Sequence, residues 1–296
     1  MYPSASEAAP SLAALPGQPP TGSSAIRRLR IALGTWVAIE ATASSAAAAL
    51  SGAEAAFAAI TQVDWRMHPT RPGSDLARIN QQAAGVRVPI HVSTWWVLRL
   101  AQRVHAFTRG VFDPCVPDRP GRLTDLELSA CVATHSEPWA LCREPLSLDL
   151  GGIAKGYAID CAIDALIAAG CTGGLVNAGG DLRLFGPRRE PILLRQTDGT
   201  YQPLELQNTA LAVSDTGARR RPSEHRGYYV RSGNDRPARR YAAVLAREAA
   251  VADALTKCVL LAPTDCANHA LKELGGREAG CAGPRAPPAA FLPGNR

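Results

Sequence analysis

The chain has 296 residues, a net charge of +6 and only 5% aromatic residues. That length can bury a sizeable core, as one domain or two intimate subdomains, and the ordinary apolar content points to a soluble globular chain. Eight cysteines with no Cys-x-x-Cys pair among them argue against a disulfide framework or a metal cluster, so buried reduced thiols are expected.

In chain order, residues 1–25 are rich in Ala, Pro and Ser and read as a disordered tail. Arg27, Arg28 and Arg30, followed by apolar residues 31–39, imitate a secretory signal. Glu40 interrupts that run and the segment starts far from Met1, so no cleaved signal, lipobox cysteine or transmembrane span is expected, and a cytoplasmic location follows. Alternation across Ile31, Leu33, Thr35, Val37 and Ile39 predicts a single strand. The alanine-rich residues 43–63 predict a helix. Ser74 or Asp75 caps a short helix that ends near Asn80. A further helix over 93–108 carries Trp95, Trp96, Leu98, Leu100 and Val104 toward the core. Phe112-Asp113-Pro114 then turns the chain, and His135 reads as a surface loop residue.

Residues 148–156, Leu-Asp-Leu-Gly-Gly-Ile-Ala-Lys-Gly, organise the rest. An extended apolar entry, two glycines and a helix with Lys155 in its first turn suit an anion, because the glycines admit a ligand to the backbone and first-turn N–H groups favour negative charge. A plain glycine turn between strand and helix suits the same residues. The Walker spacing and Gly-x-Gly-x-x-Gly are both absent. Asp149 either holds this turn or bonds ligand hydroxyls. The helix runs to about residue 169. Residues 175–185 read as strand, polar turn and strand, with Asn177, Gly179, Gly180 and Asp181 at the turn. Antiparallel strands are expected over 191–211, with turns at Asp198-Gly199 and near Gln207-Asn208. Eight arginines between Arg219 and Arg240 form a basic span whose few aromatics, Tyr228 and Tyr229, argue against nucleic acid. A solvated loop, an acidic partner or the phosphates of a dinucleotide suit it better. Residues 250–261 predict a helix with Asp253 and Thr256 on one face. A lone carboxylate there is costly to bury unless it is paired or bound to a metal. A last helix over 267–274 precedes a Gly/Pro tail at 276–296.

Together with Leu33-Gly34-Thr35 and Phe112-Asp113-Pro114, these stretches resemble the FAD:protein FMN transferase family, the ApbE-type flavin transferases. The family's ordered signatures look like Met-Gly-Thr, Ser-x-x-x-x-x-Asn, Phe-Asp-Pro-Thr, Asp-Leu-Gly-Gly-Ile-Ala-Lys-Gly, Asn-x-Gly-Gly-Asp and Ala-Asp-Ala-Leu. Here their order is kept from about residue 32 to residue 262. There are departures. His68 and Thr70 stand where relatives often place an aromatic. Ala212-Val-Ser214-Asp looks like the family's Ala-Thr-Ser-Gly turn. His225-Arg-Gly keeps a histidine but loses the Asp-Pro that follows it in relatives. Lys257 occupies a place that supplies a ligand in some relatives; a charged lysine cannot coordinate, so it contacts a phosphate or points to solvent.

Alternating helices and short strands without regular βαβ spacing argue against a Rossmann sheet and for one α+β domain over residues 26–275. The resemblance adds mostly antiparallel sheets with packed helices on a T-fold-related core, and FAD between the Gly151-Gly152 loop and the Leu33-Thr35 strand. It implies FMN transfer from FAD to a Thr or Ser hydroxyl of an acceptor flavoprotein bearing an acidic flavinylation motif, with release of AMP and with Mg²⁺, a small oxygen-seeking ion suited to phosphoryl chemistry. The implied flavin-nucleotide contacts are Leu33, Gly34, Thr35, Asp113, Asp149, Gly151, Gly152, Lys155, Asn177, Gly180, Asp181 and Ser214. Asp253, Lys155 and His225 are the implied catalytic groups, and the Gly152 carbonyl, Asp253 and Thr256 the implied Mg²⁺ ligands. Asn177, Gly180 and Asp181 also fit a purely structural turn. An FAD pyrophosphatase and a non-catalytic FAD-binding protein remain alternatives.

Overall fold

A computed structural model describes residues 23–130, 137–216 and 239–280. Its strands are β1 (Ser24–Ala32), β2 (Thr35–Ala43), β3 (Arg87–Pro89), β4 (Leu126–Leu128), β5 (Trp139–Cys142), β6 (Gly173–Ala178), β7 (Asp181–Phe185), β8 (Glu190–Arg195), β9 (Tyr201–Leu206), β10 (Ala210–Asp215), β11 (Tyr241–Ala246) and β12 (Arg277–Glu278). The helices are α1 (Ala46–Arg66), α2 (Asp75–Gln81), α3 (Val92–Phe107), α4 (Ala154–Ala168), α5 (Ala249–Leu261) and α6 (Thr264–Glu273). The main sheet has the order β1-β2-β6-β7-β10-β11-β12, and β3-β5-β4 and β8-β9 form smaller sheets. Every pairing is antiparallel, as the α+β expectation requires.

The predicted single strand over 31–39 is instead a hairpin. Ala32 pairs with Thr35 across a two-residue turn in which Leu33 and Gly34 have φ of 53° and 69°, the left-handed pair that matches strand twist. The turn reverses the alternation: Val37 and Ile39 enter the core, whereas Ile31 and its partner Trp36 face out. Leucine in that conformation costs about 1–2 kcal/mol, and its side chain packs partly against the main core. The second hairpin, β6–β7, turns in the same way through Gly179 and Gly180, at φ 63° and 104°. The Gly179 N–H donates to the Trp36 carbonyl at 3.1 Å, so the two hairpin tips lie side by side.

One face of the main sheet carries the large core, under α1, α4 and α5. The other face, with Leu175, Leu182, Leu184, Leu211 and Leu245, is covered by Ile192, Leu194 and Leu206 of the β8–β9 hairpin. Helix α1 is long and apolar enough to cross a membrane by length and composition. Its Ala49, Ala53, Ala56, Phe57, Ile60 and Val63 recur at helical spacing and are buried within this core. Gly52 lets α1 approach α4 and the turn that follows it, since a Cβ there would lie 3.4 Å from Leu166 Cδ2 and 2.5 Å from the Cys171 sulfur. Trp96, expected in the core, is 56% exposed on the outer side of α3. The sheet also extends past residue 275, where β12 pairs with β11. Cys115, Cys142, Cys171, Cys258 and Cys266 are buried free thiols and Cys161 a half-buried one, as composition suggested.

Candidate functional site

The loop that feeds α4 is held from outside its own segment. Asn80, at the end of α2, accepts from the Leu148 N–H at 2.7 Å and donates to the Leu148 carbonyl at 2.9 Å, and also to the Pro69 carbonyl at 3.2 Å. One amide thus acts as a strand partner and ties the 67–70 wall to the loop. On the other side the Asp149 N–H donates to the Pro114 carbonyl at 2.9 Å. Asp149 Oδ1 accepts from the Gly151 N–H at 2.9 Å, so its carboxylate holds the turn. The Leu150 carbonyl then accepts from Ile153 and Ala154, which starts α4.

A cleft of about 900 Å³ opens in front of this loop. The Leu33–Gly34 tip, Met67 to Thr70, Asn80, Arg119, Asp149, Gly151 and Lys155 line it. It lies where FAD was expected, between the Gly151-Gly152 loop and the first hairpin, and its volume suits a large organic ligand.

Lys155 stands at the junction of cleft and core. Its ammonium pairs with Asp181 while its side chain remains 28% exposed. Asp181 is itself anchored, accepting from the Val213 N–H at 2.8 Å. Burial lowers the Lys155 pKa to about 8; Asp253 pulls it back up and Lys257 pushes it further down. The Asp181 carboxylate, in direct contact, also favours the charged form.

Behind Lys155, Asp253 on α5 is fully buried. Its Oδ2 accepts from the Gly156 N–H at 3.2 Å, and its Oδ1 is held by the ammonium of Lys257. Burial works to raise the Asp253 pKa, yet the Lys257 and Lys155 ammoniums with the Gly156 N–H together hold it below the usual carboxylate range. Lys257 therefore neither points to solvent nor reaches into the cleft. The buried carboxylate is paired, which answers the cost of burying it without calling on a metal.

Asp253 and Thr256, two of the three groups implied as Mg²⁺ ligands, do not fit that role as they stand. Both Asp253 carboxylate oxygens have donors. The Thr256 hydroxyl donates to the Asp253 carbonyl at 2.7 Å, so Ser214, 2.7 Å away, donates its own proton to Thr256. Thr256 has no exposed surface. Among the described residues no group of three or more His, Cys, Asp or Glu side chains could hold a metal ion.

The structure thus brings Leu33, Gly34, Asp149, Gly151 and Lys155 to the cleft wall. Asp181 and Asp253 sit immediately behind Lys155, and Gly152 lies against the Lys257 stem. Ser214 and Thr256 are core partners of each other. Asn177 accepts from the Gly180 N–H at 3.0 Å, and a Cβ on Gly179 would lie 2.7 Å from Thr35 Oγ1. Asn177, Gly180 and Thr35 therefore shape the paired hairpin tips. Asp113 serves its own turn, accepting from the Cys115 N–H at 2.9 Å, and is not part of the cleft lining. Of the first-turn N–H groups expected to face an anion, that of Ala154 is used by Leu150 and that of Gly156 by Asp253. His225, His135, the basic span up to residue 238 and both termini lie outside the described residues.

Sequence reasoning missed Asp160. This buried carboxylate on α4 accepts from the Ala249 and Ala250 N–H groups at 2.8 and 2.9 Å, capping α5 from a distance, and pairs with Arg183 at 2.7 Å. Burial raises its pKa to about 6 against those hydrogen bonds and the Arg183 charge. An acidic residue at an apolar helical position was the only local sign.

The sequence profile of the ApbE family matches residues 33–280. An FAD:protein FMN transferase of Vibrio cholerae serotype O1 is 30% identical over 153 residues, which is 45% of this chain and 46% of that protein. The match therefore spans about half the length of that curated relative. Among solved structures, the apo flavinyl transferase ApbE of Pseudomonas stutzeri superposes with a TM-score of 0.69 at 20% identity, over 85% of this chain and 89% of that one. The flavin transferase ApbE of Vibrio cholerae gives 0.68 at 18% identity, over 86% and 92%. The ApbE protein of Thermotoga maritima gives 0.65 at 22%, over 80% and 87%. At these identities the structures speak for the fold.

Proposed function

Since the chain belongs to the ApbE family, we propose that it is an FAD:protein FMN transferase, which moves FMN from FAD to a Thr or Ser hydroxyl of an acceptor flavoprotein and releases AMP. The observation that carries this reading is the 900 Å³ cleft with a half-buried lysine at its inner wall. FAD lies along the cleft, its flavin against the Leu33–Gly34 tip and its diphosphate toward Gly151 and Lys155. The acceptor hydroxyl oxygen attacks the FMN phosphorus and gives up its proton to solvent, the bridging P–O bond breaks, and AMP departs with the bridging oxygen. The work asked of the protein is positioning and charge neutralisation more than covalent help. Lys155 supplies positive charge at the inner wall, and Arg119 supplies it within the same cleft. The acceptor and its motif are identified by chemistry alone, as a protein hydroxyl able to reach the cleft mouth.

The test is incubation of the pure chain with FAD and a flavinylation-domain acceptor. Flavin fluorescence that stays with the acceptor on a denaturing gel, matched by released AMP, supports transfer. AMP without a fluorescent acceptor band replaces it with FAD hydrolysis, and FAD binding without AMP leaves a binding protein.

A further inference from the structure

We propose that the Lys257 ammonium is the resident cation of Asp253, standing where the family resemblance would put a divalent ion, so that this carboxylate binds no metal. The consequence for turnover rests on the flavin-transferase reading; the geometry does not. Lys257 lies one helical turn after Asp253 on α5 and reaches back to it, the acidic-before-basic order that suits the helix dipole. Both side chains are enclosed, with residue exposures of 0% and 8%. A buried ammonium that meets a buried carboxylate is a structural commitment, since removing either one strands the other's charge.

The surroundings are built around the lysine. Gly152 lies over its stem, and a Cβ there would come within 3.4 Å of Cε, 3.7 Å of Cγ and 3.8 Å of Cδ. The second carboxylate oxygen is used by Gly156, and the neighbouring hydroxyls of Thr256 and Ser214 are spent on each other and on the Asp253 carbonyl. Lys155 adds a second ammonium near the same carboxylate. A divalent ion would have to expel Lys257 and then sit in the repulsion of Lys155. An ammonium neutralises a carboxylate as an ion does. It offers no empty orbital, so it cannot coordinate phosphate oxygens.

The experiment uses the full chain without FAD and follows free Mn²⁺ by its electron paramagnetic resonance signal. The parent is expected to leave that signal unchanged. Lys257→Thr, which puts a neutral oxygen beside Asp253, is expected to take up Mn²⁺ and to recover in Mn²⁺ the melting temperature it loses in EDTA. Adding Asp253→Asn to that variant should abolish both effects. Stoichiometric Mn²⁺ uptake by the parent, lost in Asp253→Asn, overturns the proposal even if Lys257→Thr fails to fold. In a second arm, parent AMP release from FAD in the presence of a flavinylation-domain acceptor is compared in EDTA and in Mg²⁺. Equal rates agree with the proposal, and a rate abolished by EDTA and restored by Mg²⁺ contradicts it. No AMP under either condition sinks the flavin-transferase reading instead, while the Mn²⁺ titration still decides the cation.

Discussion

Replacing Lys155 by alanine removes the one ammonium among the described residues that faces both the cleft and the core. Two unit charges 4 Å apart at an effective dielectric of about 20 attract by about 4 kcal/mol, but Lys155 already holds Asp181, so a ligand phosphate gains only part of this. A hydrogen bond to a charged group contributes about 1.5–3 kcal/mol net, which predicts a Kd for FAD weaker by about 10- to 150-fold. The free Lys155 ammonium titrates near pH 8, and bound phosphate raises that pKa. Binding therefore takes up a proton above pH 8, and affinity must fall as pH rises. With a pKa of about 8, roughly one molecule in ten keeps the charge at pH 9, so Kd should rise by up to about tenfold between pH 7 and 9. The charged groups that face Lys155 are the carboxylates of Asp181 and Asp253 and the ammonium of Lys257. The assay is quenching of flavin fluorescence on titration, at low and high salt, across this pH range. Lys155→Ala should bind weakly, lose the pH slope and show less salt dependence than the parent. Because the variant strands the buried Asp181, Lys155→Ala/Asp181→Asn separates lost affinity from lost stability. Parent and both variants with the same Kd at every pH and salt would remove Lys155 from the phosphate site.

Three other substitutions test the frame around it. Gly156→Ala places a Cβ over the Ala249 backbone, 2.7 Å from Ala250 Cα, and forces α4 and α5 apart. Calorimetry should find it destabilised by about 1–3 kcal/mol, with a Tm lower by roughly 2–4 °C per kcal/mol; an unchanged Tm would mean the helices meet differently. Asp160→Ala removes the cap of α5 and the partner of Arg183. Urea unfolding should show a loss of about 2–4 kcal/mol, between the cost of a missing cap and that of a stranded buried charge. Asp113→Ala should leave the FAD Kd at the parent value in the same fluorescence titration, since that carboxylate serves the Cys115 N–H. A large loss of affinity there would restore it to the flavin site.

The order of motifs along the chain determined the family, the antiparallel α+β class and the loop from Leu148 to Gly156. Periodicity and turn chemistry are local, so α1, α4, α5 and the Gly179-Gly180 hairpin were legible. Where a local signal had two solutions the sequence chose badly. Apolar alternation across Ile31 to Ile39 hid a turn at Leu33, because leucine rarely adopts positive φ and only pairing with β1 imposed it. Trp96 is as apolar as Trp95, and the direction from which neighbours cover α3 decided which of them was buried. The chemistry of the inner site depended on distance in space alone. Asn80 meets Leu148 across 68 residues and Asp160 meets Ala249 across 89, contacts with no trace in local spacing. Asp253 and Lys257 are separated by one turn, a spacing that permits an ion pair, yet from the sequence Lys257 was expected to contact a phosphate or point to solvent. The burial of the pair was not legible either, because an i,i+4 pair on an open helix face is a solvated surface contact. Only the closure of α4, β10 and β11 around α5 enclosed that pair, and enclosure turned an ordinary helix contact into a cation held against a carboxylate.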